Sequence, residues 1–286
     1  MTLRNRINAP DILIAPGVYD GLTAALATDA GFEALYLSGA AVAYTRLGRP
    51  DIGLSTASEM TDTMALIADR TDLPVIMDAD TGFGNALNAR RTMQSYERAG
   101  ASALQVEDQT YPKRCGHLSD KSLISKEEMS GKIAAMADAR RHDTLIIART
   151  DAIAVEGFDA AIDRAGSYIE AGADVLFIEA PRDSSELARI ADTFKGRVPL
   201  LANMVEGGAT PISSATVLQD LGFDIVIFPG GIVRALAKTA QDYYASLKEN
   251  GSNKAFSERM HDFDGLNAAI GTPDMLALGK RFDGKC

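Results

Sequence analysis

Ala171-Gly172-Ala173-Asp174-Val175-Leu176-Phe177-Ile178-Glu179 decides the fold. It reads as a helix end, a short turn, then an apolar strand closed by an acid. A Gly just past a helix end adopts the left-handed conformation that caps it. The apolar run is continuous rather than alternating, which marks a strand buried on both faces of a parallel sheet. The same phrase recurs at residues 30–38, 99–107 and 221–229. Further apolar strands read at 12–15, 75–78, 145–149 and 200–202. Helical patterns cover 21–29, 58–70, 86–99, 126–141, 160–170, 184–194, 212–220 and 233–249. Eight strand–helix units predict an α/β chain folded as a (β/α)8 TIM-type barrel over residues 1–250. Residues 251–286 then form a C-terminal helical extension. An open doubly wound sheet is the competing arrangement, and no GxGxxG follows the first strand to favour it.

The chain has 286 residues, 46% of them apolar, and a net charge of −10. That charge argues against nucleic acid or an anionic membrane as partner. Arg4 and Arg6 are followed at once by Asn8, Pro10 and Asp11, which does not read as a signal peptide. No run approaches 18 uninterrupted apolar residues, so no membrane span is expected. Only Cys115 and Cys286 are present. This usage predicts no disulfide framework and a reducing, cytoplasmic setting.

Two βα connections are long, residues 39–57 and 107–125, and long βα loops on a barrel lie at its catalytic face. The strand ends gather the chemistry there. The second strand ends in Ser38-Gly39-Ala40, the third in Asp78-Ala79-Asp80 and the fourth in Glu107. The fifth ends in Arg149 and Asp151, the sixth in Glu179, the seventh in Asn203 and Glu206. Asp78, Asp80 and Glu107 donate only oxygen, which suits Mg2+, with Mn2+ as a substitute, better than zinc. Arg149 has two readings: a salt bridge to Glu179 or Asp151, or a bidentate clamp on a substrate carboxylate. The N–H groups of Ser38-Gly39-Ala40 offer to hold another carboxylate or an enolate oxygen.

The sharpest feature is Lys113-Arg114-Cys115-Gly116-His117. A lone cysteine is usually an inert core residue. Cys115 instead sits in a polar loop where Lys113, Arg114 and His117 favour the thiolate. A thiol tuned towards neutrality protonates a carbanion. Gly116 lets the loop close over the substrate.

That segment is similar to the signature of the isocitrate lyase/phosphoenolpyruvate mutase superfamily, in its carbon–carbon lyase branch. So are Leu37-Ser38-Gly39, Arg49-Pro50-Asp51-Ile52-Gly53, Asp78-Ala79-Asp80-Thr81-Gly82-Phe83-Gly84 and Val106-Glu107-Asp108-Gln109. Ala148-Arg149-Thr150-Asp151 and Asn203-Met204-Val205-Glu206 extend the match along most of the chain. The resemblance implies a barrel whose C-terminal helix swaps between subunits of a homotetramer. It implies Mg2+ near Asp78, Asp80 and Glu107, with Asp51 further out. It implies a small-molecule dicarboxylate whose pyruvate-like part is held by Ser38, Gly39, Ala40 and Arg149, with Glu179, Asn203 and Pro229 lining the rest. Cys115 would protonate the departing half, supported by Lys113, Gly116 and His117. Tyr36, Tyr44 and a metal-bound water are the candidate bases. The pattern is nearest to the methylisocitrate and dimethylmalate lyases. Methylisocitrate lyases resemble Asn-Ile-Thr-Glu at 203–206 and place a Ser where this chain has Pro229-Gly230-Gly231. Both departures remove hydroxyls from the distal carboxylate site. Other readings of the same scaffold are an oxaloacetate-type decarboxylase, a carboxyphosphonoenolpyruvate mutase and a non-catalytic metabolite-binding barrel.

Overall fold

The computed structural model describes residues 2–116, 118 and 120–284. His117 and Cys286 lie outside the described residues. The chain divides into two compact units, Met1–Gly231 and Ile232–Cys286.

The first unit is a closed barrel of eight parallel strands among the described residues, in sequence order around the ring. The strands are β1 (Leu13–Val18), β2 (Leu35–Leu37), β3 (Val75–Asp78), β4 (Ala103–Glu107), β5 (Leu145–Thr150), β6 (Val175–Ile178), β7 (Leu200–Asn203) and β8 (Ile225–Phe228). The layer around them holds α2 (Gly21–Asp29), α4 (Ala57–Arg70), α5 (Ala86–Arg98), α6 (Lys126–Ala139), α8 (Phe158–Glu170), α9 (Ser184–Phe194) and α10 (Ala215–Leu221). Three short helices were not expected: α1 (Leu3–Ile7), α3 (Gly39–Val42) and α7 (Ala152–Val155). The (β/α)8 expectation therefore holds, and the strands are buried on both faces as their continuous apolar runs required.

The 39–57 connection is not plain loop. Ser38 Oγ accepts from Ala41 N at 3.2 Å, starting α3 and a π-helical turn over 43–47. The run Gly-Ala-Ala-Val-Ala supports this, because small side chains fit a tight helix start. At the other end of the barrel, Leu3 and Ile7 of α1 join the interior cluster with Leu13, Leu145, Val175 and Ile225, closing that end with apolar side chains.

Successive strand residues face opposite ways. Ile76, Ala103, Ile147, Phe177 and Leu201 belong to the interior cluster. Two residues on from each lie Asp78, Gln105, Arg149, Glu179 and Asn203. The site residues thus continue the inward-facing rows of the core, one layer higher.

The second unit carries the rest of α11 (Gly231–Asn250), a 3-10 turn, α12 (Phe263–Ala269) and α13 (Thr272–Phe282). Phe263 is 83% exposed and Phe282 76%. No helix among the described residues is long and apolar enough to cross a membrane.

Barrel closure rests on β1 pairing with β8, where Pro16 stands opposite Phe228. A Cβ on Gly17 would lie 2.6 Å from the Pro229 carbonyl carbon and 2.8 Å from its Cα. Backbone cannot move aside as a side-chain tip does. Gly17→Ala is therefore expected to destabilise the protein by about 1–3 kcal/mol, measured by urea unfolding. A wild-type midpoint would show that the seam is not tightly packed.

Candidate active site

The C-terminal rim of the barrel has an acidic half and a cationic half. In the acidic half, β3 ends at Asp78 and the chain turns sharply. Asp78 Oδ2 accepts from Gly39 N at 3.3 Å, and its Oδ1 accepts from Asp80 N at 3.1 Å. A Cβ on Gly39 would stand 2.9 Å from Asp78 Oδ2, so this approach requires glycine. Lys113 Nζ lies 2.6 Å from Asp51 Oδ1 and 2.8 Å from Asp80 Oδ1. Burial works against the Lys113 ammonium, but Asp80 and then Asp51 outweigh it, and its pKa sits well above the usual lysine range. Burial, only partly offset by Lys113, pushes Asp80 up to about 6. Burial, offset in part by Arg149, also raises Glu107 well above the ordinary glutamate value. Carboxylates thus outnumber cations in this half.

Arg149 organises the other half. Its Nε and one terminal nitrogen grip Asp151 at 2.9 and 3.0 Å. Its two terminal nitrogens also lie 3.3 Å from Glu107 Oε2 and 3.3 Å from Glu179 Oε2. The Phe177 ring lies beneath, 5.2 Å from the guanidinium carbon. Asn203 Nδ2 donates to Glu179 Oε2 at 3.1 Å. Arg149 is thus bridged to Asp151 and Glu179 together, and Glu107 ties the two halves into one site. Burial would raise Asp151, but Arg149 and then Lys121 hold it down to about 2.

The cysteine loop crosses both halves. Cys115 N donates to the Asp51 carbonyl at 3.2 Å, and the thiol is half-buried and free of disulfide. Gly116 is buried. A Cβ there would overlap the Arg149 guanidinium and stand 2.7 Å from Glu179 Oε2. Lys121 Nζ donates to the Gly116 carbonyl at 2.5 Å and to Asp151 at 2.8 Å. Of the cations flanking Cys115, Lys113 is committed to Asp51 and Asp80, and Arg114 pairs with Asp120.

The remaining candidates fall nearby. Tyr36 OH donates to Gln105 Oε1 at 2.8 Å; burial, then Asp78, raises its pKa well above the tyrosine range. It is a phenol donor and not a ready base. Ser38 N and Gly39 N already donate to the Val18 carbonyl and Asp78, so these bonds leave only the Ala40 N–H of that trio for a ligand. Pro229 follows β8 directly, with its backbone against Gly17.

Sequence reasoning missed three supports. Gln105 was visible as a lone amide inside an apolar strand. Lys121 gave no local signal. Asp108 adjoins Glu107, yet it turns outward and accepts from Thr150 Oγ1 (2.7 Å), Tyr168 OH (2.8 Å) and Asp151 N (3.0 Å), with Arg164 at 3.3 Å. This buried network anchors the end of β5.

The donor set fits a hard divalent cation. Among the described residues Glu107 Oε1 is buried without a hydrogen-bond partner, and neighbouring Asp78 also offers only oxygen. Among the described residues no three acidic, Cys or His side chains form a ready-made cage. Mg2+ needs none, since it keeps several waters and takes only one or two carboxylates.

The family model described as phosphoenolpyruvate phosphomutase matches residues 3–248. The 2-methylisocitrate lyase of Aeropyrum pernix is 48% identical over 261 residues, covering 91% of this chain and 83% of that protein. The 2,3-dimethylmalate lyase of Eubacterium barkeri is 41% identical over 270 residues, covering 94% and 93%. Among solved structures, oxaloacetate acetylhydrolase in complex with 3,3-difluorooxalacetate matches with a TM-score of 0.94 at 32% identity, over 100% of this chain and 97% of that one.

Asp151 compensates two buried cations at once. Asp151→Asn is expected to cost about 3–5 kcal/mol in urea unfolding, because it leaves Arg149 and Lys121 undercompensated. The wild-type carboxylate titrates below its ordinary 3.8. Its stabilisation is complete above that value and disappears as pH falls through about 2. A variant as stable as wild type would show that Glu107 and Glu179 suffice for Arg149.

Proposed function

We propose that this chain, which belongs to the phosphoenolpyruvate mutase/isocitrate lyase superfamily, is a Mg2+-dependent carbon–carbon lyase. Its substrate contains a 2-hydroxydicarboxylate unit, as in 2-methylisocitrate (which carries a third carboxylate) or 2,3-dimethylmalate, cleaved to pyruvate and a second carboxylic acid. The observation that carries this is the Glu107–Arg149 bridge, which places an acidic pocket and a caged guanidinium beneath the Cys115–Gly116 backbone.

Asp78, Asp80 and Glu107, with Asp51 further out, would hold the ion; Mn2+ would substitute. When bound, it neutralises the substrate carboxylate and polarises the 2-oxygen. Arg149 and the Ala40 N–H bind the pyruvate-like part, while Glu179 and Asn203 line the site beside it. A base, Tyr44 or a solvent water, takes the hydroxyl proton and later releases it to solvent; rupture of the C2–C3 bond then leaves an electron pair on C3, next to its carboxylate. The Cys115 S–H delivers a proton to that carbon, and the resulting thiolate regains one before the next cycle. Gly116 lets the loop lie flat on Arg149 and exclude water, with Lys113 and His117 supporting it. Tyr36 remains protonated and orients Gln105 below Asp78. A reducing, cytoplasmic setting keeps the Cys115 thiol available.

Met204 and Val205 are buried. Neither supplies a hydroxyl, and an unpaired buried carboxylate is costly. A short, methylated diacid such as 2,3-dimethylmalate is favoured over the longer tricarboxylate. The exposed apolar residues of α12 and α13 are assigned to contacts between copies in a homotetramer, with these helices swapped between subunits.

The first experiment mixes the protein and Mg2+ with 2,3-dimethylmalate, 2-methylisocitrate, isocitrate or oxaloacetate and follows the keto acid by coupled reduction. Pyruvate from one of the first two, abolished by EDTA, is the expected result. Consumption of oxaloacetate alone would move the chain to the decarboxylase or hydrolase reading.

Cys115→Ser should lower turnover by about 10^2–10^4 while sparing product binding, since the general acid is removed without loss of binding groups. Near-wild-type turnover would remove the thiol from the mechanism.

A pH test reads the acidic pocket directly. Asp80 titrates near 6 when folded and at 3.8 ordinarily. The metal-free fold therefore loses stability as pH rises between those values. A cation relieves that loss, so the Mg2+-induced rise in Tm should be larger at about pH 7 than at about pH 5. An equal rise at both would separate the ion from Asp80.

A further inference from the structure

The turn that carries Asp80 is strained. Asp80 has φ 45°, Gly82 81°, Phe83 60° and Gly84 145°. Asp80 and Phe83 carry the steric penalty of a side chain on a left-handed backbone. Such geometry persists only where its surroundings dictate it. Towards the barrel, Glu107 N donates to the Asp80 carbonyl at 2.9 Å, and Gly82 N donates to the Ala79 carbonyl at 2.8 Å. From the helical layer, Thr92 Oγ1 of α5 donates to the Gly82 carbonyl at 3.2 Å. Lys132 Nζ of α6 donates to the Thr81 carbonyl at 3.2 Å.

Lys132 is out of character for its place. It is 3% exposed and lies on the buried face of α6 with Met129, Ile133 and Met136. Among the described residues its one hydrogen-bond partner is that carbonyl. Packing alone would be served better by Met or Leu, because burying an ammonium against a single backbone oxygen is costly. Burial pulls its pKa below the usual lysine value, while Glu128 and Asp108 pull the other way.

We propose that Lys132 is a positioning residue: by holding the Thr81 carbonyl it keeps Asp80 in its left-handed conformation and aims the carboxylate at Lys113 and the bound ion. The contact with the ion rests on the functional reading above; the hold on the turn does not.

The test uses full-length Lys132→Met and Lys132→Arg. In metal-free protein, Lys132→Met should speed amide exchange at Gly82 and Glu107 by about tenfold, with Tm little changed, since one hydrogen bond is lost and a buried charge is removed. Mn2+ binding, followed by the spectrum of the free ion, should weaken by about tenfold. Lys132→Arg, which can still donate to the carbonyl, should recover most of both. Should Lys132→Met fail to fold, Lys132→Gln takes its place with the same readouts. Wild-type exchange at Gly82 and Glu107 would overturn the proposal. So would acceleration spread evenly over all strands, which marks a merely structural residue. If the wild-type chain itself takes up no Mn2+, the metal reading fails, and the exchange data alone still decide the role of Lys132.

Discussion

The buried guanidinium of Arg149 is the contact on which the rest of the rim depends. It holds Asp151 through two hydrogen bonds and reaches Glu107 and Glu179 from its remaining positions. One cation thus joins the ends of β4, β5 and β6. A buried arginine with too little countercharge, or buried carboxylates with no cation, would each cost several kcal/mol. The cluster is tolerable only when complete, so the geometry of each strand end is constrained by the others. Phe177 beneath the guanidinium adds a floor that water does not reach, which strengthens every charge interaction above it.

The same arrangement explains why the site needs a second, independent layer. Asp108 faces away from the pocket and collects Thr150, Tyr168, Asp151 N and Arg164. It fixes the backbone of β5 just where Arg149 departs from it. Adjacent acids on one strand end, Glu107 and Asp108, thereby serve opposite faces: one looks into the pocket, the other braces it from outside.

The barrel was legible because its strands are buried on both sides and say so in unbroken apolar runs. The acids and Arg149 were legible because nothing in packing asks for charge at the end of such a run. What could not be read was partnership. Lys113 looked like a cation for the neighbouring thiol, but its ammonium is held by Asp51 and Asp80, which arrive from other loops. Lys121 looked like any loop lysine, yet it fastens the Gly116 carbonyl to Asp151. Ser38 and Gly39 looked like free N–H donors, and both are spent inside the protein. In each case the deciding partner is distant in sequence, and only the closed ring brings it near. The strained turn after β3 was hidden for a related reason. Asp and Phe do not advertise left-handed backbone as Gly does.

The seam between β1 and β8 has a consequence for how the chain comes into being. Gly17 meets Pro229, so the first strand waits for the last, across nearly the whole barrel sequence. During synthesis the growing sheet carries an open edge at β1, and every strand pair formed earlier is a partial ring. A nascent chain in that state is exposed to edge-to-edge pairing with its neighbours. The charged rim adds to the delay, because Arg149 is translated before Glu179 exists to face it. A chain that ends before β8 would leave the β1 edge unpaired rather than form a smaller closed barrel.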